Sequence, residues 1–197
     1  MNYSKMMKLL GVPFVFLVSI LSVEAHQMGG VGFGSGLLHP MMGLDHMLAM
    51  VAVGIIAARL GGKWIMVVPF TFVSSMIVGG IAAIEGVRLP LVDYGVALSV
   101  LVLGIVVAFN TKVSPYLAIV CVAFFAICHG HAHGEELPLI TDPVLYTLGF
   151  VFSTTVLHVS GIVVAKKAYQ TEKRTNALRY AGVAMALFGM VLLIGII

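Results

Sequence analysis

An aspartate and two histidines interrupt an otherwise apolar stretch at His39-Pro40-Met41-Met42-Gly43-Leu44-Asp45-His46. An ionised Asp near mid-bilayer costs at least about 2.5 to 3.5 kcal/mol on insertion scales, so a partner must offset it. The partner is either His46 or a nearby Ser or Thr that locks helices together, or a cation bound by carboxylate and imidazole. The second reading is the default for an ionisable group inside a membrane helix. His39 and His46 are seven residues apart, hence on one face but about 10 Å apart along a straight axis. At metal–nitrogen distances of about 2.0 to 2.1 Å they cannot share one ion unless the helix unwinds, which Pro40 and Gly43 would permit. The expectation is two successive stations, His39 nearer the outside, and Asp45 with His46 about three turns into the helix.

A second concentration of donors follows the fourth apolar stretch, His129-Gly130-His131-Ala132-His133-Gly134-Glu135-Glu136. His129 and His133 share a face if the helix continues. The segment is expected on the outer surface, either as a solvated loop or as a site that captures a borderline metal. His158, alone in the fifth stretch, is a hydrogen-bonded core residue or a ligand. Met42, Met47 and Met50 share the helix of the first motif but read as gap fillers rather than primary ligands. Cys121 and Cys128 read as small buried apolar residues, and two helical turns between them disfavour a disulfide. Imidazole with carboxylate suits Ni, Co, Zn, Cu or Fe, whereas Mg or Ca would call for oxygen alone.

The elements that must position these groups are membrane spans. Of 197 residues, 60% are apolar and 10% charged, against about 25% charged in an ordinary soluble domain. The first 25 residues read as a cleavable export signal: Lys5 and Lys8, an apolar run from Leu9 to Leu21, and Val23-Glu24-Ala25 as the cleavage site. Cleavage would leave His26 at the outer N-terminus, where its amine and imidazole could chelate an ion; an uncleaved first span is the alternative. Residues 26–197 then form one six-helix domain, with spans near 35–60, 64–84, 91–109, 115–130, 143–165 and 178–197, each near the roughly 20 residues a bilayer requires. With His26 outside, the inner loops carry Arg59, Lys63, Lys112, Lys166, Lys167, Lys173, Arg174 and Arg179, and the outer loops only Arg88. This is the positive-inside pattern. Trp64, Tyr94, Tyr116, Tyr146, Tyr169 and Tyr180 fall near span ends, as interfacial rings do. The basic residues sit in short loops, so nucleic acid is not an expected partner despite the net charge of +3. Glycines within the spans point to close helix packing.

No nucleotide-driven pump is encoded: Gly61-Gly62-Lys63 is followed by Trp64 and lacks the remaining elements of a phosphate-binding loop. A membrane potential suffices, since a dication crossing 100 mV gains about 4.6 kcal/mol, twice the roughly 2.3 of a single charge.

The segment from His39 to His46 resembles the His-Pro-x-x-Gly-x-Asp-His signature of the HupE/UreJ family of nickel permeases, and the His129–Pro138 stretch, Leu157-His158 and the span pattern are similar to it too. The resemblance implies uptake of nickel, sometimes cobalt, in the service of hydrogenase or urease maturation. It implies functional roles for His39, Asp45, His46, His129, His133, Glu135 and His158; His131, His26 and Asp93 are further candidate metal ligands. Asp93 stands where the family more often has a glutamate, which leaves its role open.

The chain therefore reads as an all-α integral membrane protein, a non-ATP importer of a divalent transition metal, Ni²⁺ or Co²⁺, across a bacterial inner membrane. The ion is cargo; no resident cofactor and no enzymatic activity are expected. The outer histidines and Glu135 would capture and partly dehydrate the ion, and Asp45 with His46 would replace its water at depth. An intramembrane zinc hydrolase and a non-transporting accessory protein of metalloenzyme maturation are the alternatives. Because neutral imidazole is the ligand and its ordinary pKa is about 6.5, nickel uptake should weaken as pH falls toward 5. An uptake profile flat from pH 7.5 to 5 contradicts histidine capture.

Overall fold

The computed structural model describes residues 32–110, 113–136 and 142–196. Within them the chain forms α1 (Phe33–Met42), α2 (Leu44–Leu60), α3 (Trp64–Ile84), α4 (Val92–Phe109), α5 (Pro115–Glu135), α6 (Pro143–Ala168) and α7 (Glu172–Ile196), with no strand among these residues. The helices α3 to α7 are long and apolar enough to cross a membrane, and α1 and α2 reach that length only together, as a pair bent by 86° that forms a broken span or a re-entrant loop. The protein is thus an all-helical, multi-pass membrane protein. The expected signal segment, residues 1–25, and His26 lie outside the described residues.

Three of the expected spans change on inspection. Residues 35–60 are two helices, because Gly43 is extended (φ −88°, ψ 112°) where a helix would need ψ near −42°. The fourth span does not end at residue 130 but runs to Glu135. The sixth begins at Glu172, six residues earlier than expected, since the polar first turn of α7 is helical as well.

Glycine explains how closely the spans approach. A Cβ on Gly54 would collide with the His158 carbonyl oxygen and one on Gly161 with that of Val51, so α2 and α6 meet backbone to backbone. Gly36 and Gly149 do the same for α1 and α6, Gly79 and Gly130 for α3 and α5, and Gly104 and Gly182 for α4 and α7. In lipid no hydrophobic force drives helices together, so this backbone proximity and its dispersion contacts carry association. The central helix is α2, whose residues from Ala49 to Ala57 are almost all buried against α6, α4 and α3. Outward faces are apolar and exposed, as at Met66, Phe70, Leu187 and Val191. Hydroxyls there return to their own helix: Thr71 donates to the Val67 carbonyl (2.9 Å), Thr155 to Val151 (2.7 Å) and Ser160 to Val156 (2.8 Å).

Helix ends are set locally. Asp142 Oδ1 accepts from the amides of Val144 (2.8 Å) and Leu145 (3.1 Å), with Pro143 at the first helical position of α6. Trp64 and Tyr116 open α3 and α5 with rings 5.6 Å apart, and Arg179 donates to the Ala108 carbonyl (3.0 Å) at the end of α4. Tyr146 is not an interfacial anchor: it is buried and faces the interior of the bundle.

Gly161→Ala should force α2 and α6 apart and reduce the yield of monodisperse protein after detergent extraction. Gly34→Ala, where a Cβ meets nothing within 4 Å, should be neutral or raise stability by up to about 1 kcal/mol. Equal behaviour of the two variants in thermal unfolding would contradict the glycine-seam account.

Candidate metal site

The bend at Gly43 brings residues of the first motif to the face of α5. His39, in the last turn of α1, points its Nε2 at Glu136 Oε2 (3.0 Å). The ring of His133 lies 4.7 Å from that of His39 and 4.1 Å from that of His46, centre to centre. His39 and His46 therefore border one common imidazole, because the chain turns between them instead of continuing straight. His133 Nδ1 lies 3.6 Å from the same Glu136 oxygen. Among the described residues, His39, His133 and Glu136 offer donor atoms within 4.8 Å of one another.

The contacts continue inward. His46 Nδ1 and His129 Nδ1 are hydrogen-bonded at 2.7 Å, and His129 Nε2 lies 2.8 Å from Ser99 Oγ on α4. His129 is fully buried. Phe72 lies between the deeper rings, 5.9 Å from His129 and 5.1 Å from His158. His158 is buried with neither ring nitrogen hydrogen-bonded. It sits two turns along α6 from Phe150, the residue that packs on His133 at 4.4 Å, which corresponds to about 12 Å of helix. The imidazoles thus descend from an exposed carboxylate to a dry interior, the side-chain exposure falling from 57% at Glu136 through 28% at His39 to 12% at His46.

Asp45 is not three turns into a helix but in the first turn of α2. Its Oδ1 accepts the His46 amide (2.9 Å) and its Oδ2 stands 3.9 Å from His46 Nε2. A helix N-terminus favours a carboxylate, and 27% of this side chain remains exposed. The cost of the charge is therefore offset partly by the backbone before any cation arrives.

The His129–Glu136 segment is not a surface loop. It is the helical end of α5, and its three histidines are buried. Helical spacing then divides it: His129, His133 and Glu136 face α1 and α2, whereas His131 faces away, its Nε2 hydrogen-bonded to the Val87 carbonyl at 2.7 Å. Glu135 follows His131, its Oε2 lying 3.7 Å from His131 Nδ1. The carboxylate beside the imidazole cluster is thus that of Glu136, where Glu135 was expected. The three-residue spacing from His133 was the available signal, and it counts only if the helix continues. Asp93 is exposed in the first turn of α4. Cys128 is buried against Gly95 and Cys121 partly buried, both as free thiols. The His133 and His39 imidazoles beside it hold the Glu136 carboxyl well below the ordinary carboxylate range, so it is ionised at neutral pH.

Two imidazoles and an ionised carboxylate converge at one end of a helical bundle, with further imidazoles leading inward, in a polytopic membrane protein; such a donor set suits a borderline divalent metal. The chain belongs to the HupE / UreJ protein family, which it matches over residues 14–192. It is 42% identical over 195 residues to Protein HupE of Rhizobium leguminosarum bv. viciae, an alignment covering 99% of this chain and 100% of that protein. No solved structure matches the chain significantly.

Glu136→Gln should weaken metal binding at least tenfold, while Glu135→Gln should stay within about twofold of wild type, both measured by nickel titration of purified protein. The reverse order would contradict this assignment of the carboxylates.

Proposed function

We propose that the protein is a non-ATP uptake permease for a divalent transition metal, nickel first and cobalt second, with its N-terminal end outside the inner membrane. The observation that carries this reading is the convergence of His39, His133 and Glu136, contiguous with His46 and His129 below. Ionised Glu136 attracts the hydrated dication, and the rings of His39 and His133 replace part of its water. Asp45 and His46 take the ion next, the carboxylate compensating its charge as hydration falls. His158, beneath Phe72, is the deepest donor on this route. The membrane potential drives the ion inward, and the resemblance to nickel permeases favours nickel among metals that an imidazole–carboxylate set accepts. Glu135, His131 and Asp93 are left off the route, since their side chains lie apart from the cluster. Delivery to hydrogenase or urease maturation is the physiological role this reading implies.

Purified protein reconstituted alone in liposomes, with an inside-negative potential, should accumulate nickel, and Asp45→Asn should abolish that flux while the protein remains inserted. Wild-type uptake by Asp45→Asn refutes the reading. A tightly retained stoichiometric metal with lipid turnover and no flux would replace it with an intramembrane hydrolase, and absence of all three with an accessory role.

A further inference from the structure

We propose that Ser99 is a positioning residue that fixes the tautomer of His46, through His129, so that His46 presents a lone pair rather than a proton at the metal site. The inference rests on the metal-binding reading above, but its central claim concerns the metal-free protein. The Ser99 hydroxyl is fully buried and donates to the Val96 carbonyl at 2.6 Å. A hydroxyl has one proton. With that proton committed, Ser99 Oγ faces His129 as an acceptor, and the 2.8 Å contact requires His129 to carry its proton on Nε2. A neutral ring so protonated has a lone pair on Nδ1. The 2.7 Å contact between the two Nδ1 atoms then requires His46 to be the donor. Its own proton is on Nδ1, and Nε2 is left as a bare acceptor.

That outcome opposes a local preference. Asp45 Oδ2 lies 3.9 Å from His46 Nε2, so the nearest carboxylate would draw a proton onto that nitrogen. A proton there would block the nitrogen nearest Asp45 from binding a cation. The chain Ser99–His129–His46 reverses the preference from the other side of the ring, as hydrogen bonds from outer groups fix the orientation and tautomer of ligating histidines elsewhere. With Ser99 removed, His129 has no acceptor at Nε2, both rings can reverse together, and Asp45 selects the state with His46 protonated on Nε2. His129 is thus a relay, and Ser99, on a helix that supplies no other member of the cluster, sets its direction.

The test is nitrogen NMR of ¹⁵N-histidine-labelled full-length protein in lipid, without metal, with resonances assigned by His46→Gln and His129→Gln. Wild type should show His46 protonated on Nδ1 and His129 on Nε2. Ser99→Ala should reverse both and raise the nickel concentration for half-maximal uptake about tenfold or more, the range expected for removal of such a partner, with the maximal rate changed less than twofold. Ser99→Thr, which keeps the hydroxyl, should restore both the tautomers and the half-saturation. The proposal is overturned if wild-type His46 carries its proton on Nε2, if Ser99→Ala leaves the tautomers unchanged, or if Ser99→Thr loses affinity as severely as Ser99→Ala with its tautomers intact. Wild-type protein with the expected tautomers but no nickel flux would sink the transport reading and leave the relay standing.

Discussion

The structure depends on the interruption of the first span at Gly43. Placing a helix break inside a bundle leaves amides unpaired at the start of α2 and carbonyls unpaired at the end of α1. Some are satisfied on the spot: Met47 donates to the Gly43 carbonyl at 2.9 Å, and His46 to Asp45 at 2.9 Å. A Cβ at residue 43 would stand 2.6 Å from the His46 ring and 3.0 Å from the Asp45 carboxylate. A larger residue there would push the His46 ring and the Asp45 carboxylate off the break. The same turn places Asp45 at a positive helix end and swings His39 and His46 onto one ring of α5, so charge compensation and donor convergence have a single cause.

The bend also orders the donors by their access to water. A divalent cation cannot surrender its hydration shell at once, because each lost water must be replaced by a donor of comparable strength. The exposed Glu136 carboxylate and the partly exposed His39 would meet an ion while it is still wet, whereas His129 is fully buried. His46 stands between them, touching His133 on one side and His129 on the other. This gradient explains why imidazoles rather than carboxylates occupy the interior: a neutral ring buried without a cation costs a hydrogen bond, while a buried carboxylate would cost far more.

How far the sequence could be read follows from the range of each signal. Apolar runs report spans directly, and His39, Asp45 and His46 stand out because ionisable groups are rare in lipid. The end of α5 misled because Gly130 and Gly134 look like turn residues among polar neighbours. They are there because the Met76 and Gly80 carbonyls of α3 press against them, and a contact with another helix leaves no local mark. The choice of Glu136 over Glu135 depended on that same helical continuation. Tyr146 resembled an interfacial ring because it lies one turn from a helix start, yet it packs on His39 with ring centres 5.7 Å apart. Ser99 was invisible, since its partner lies 30 residues away and nothing around it departs from an ordinary span.

The glycine seams divide the donors into two sets. The α1 and α2 helices are each bound to α6 through Gly36, Gly149, Gly54 and Gly161, and they carry His39, Asp45 and His46. The α3 and α5 helices are joined through Gly79, Gly130 and Gly134, and α5 carries His129, His133 and Glu136. Within each unit the backbones are in contact and have no slack, so the donors of one unit hold their mutual geometry. Between the units α2 also packs against α3, and the donors themselves meet through ring contacts and the hydrogen bonds from His39 to Glu136 and from His46 to His129. An ion held by His39, His133 and Glu136 would therefore bridge the two units. Separating the two units would part its donors as sets, which would tie ion exchange to the packing of the bundle as well as to the rotation of single side chains.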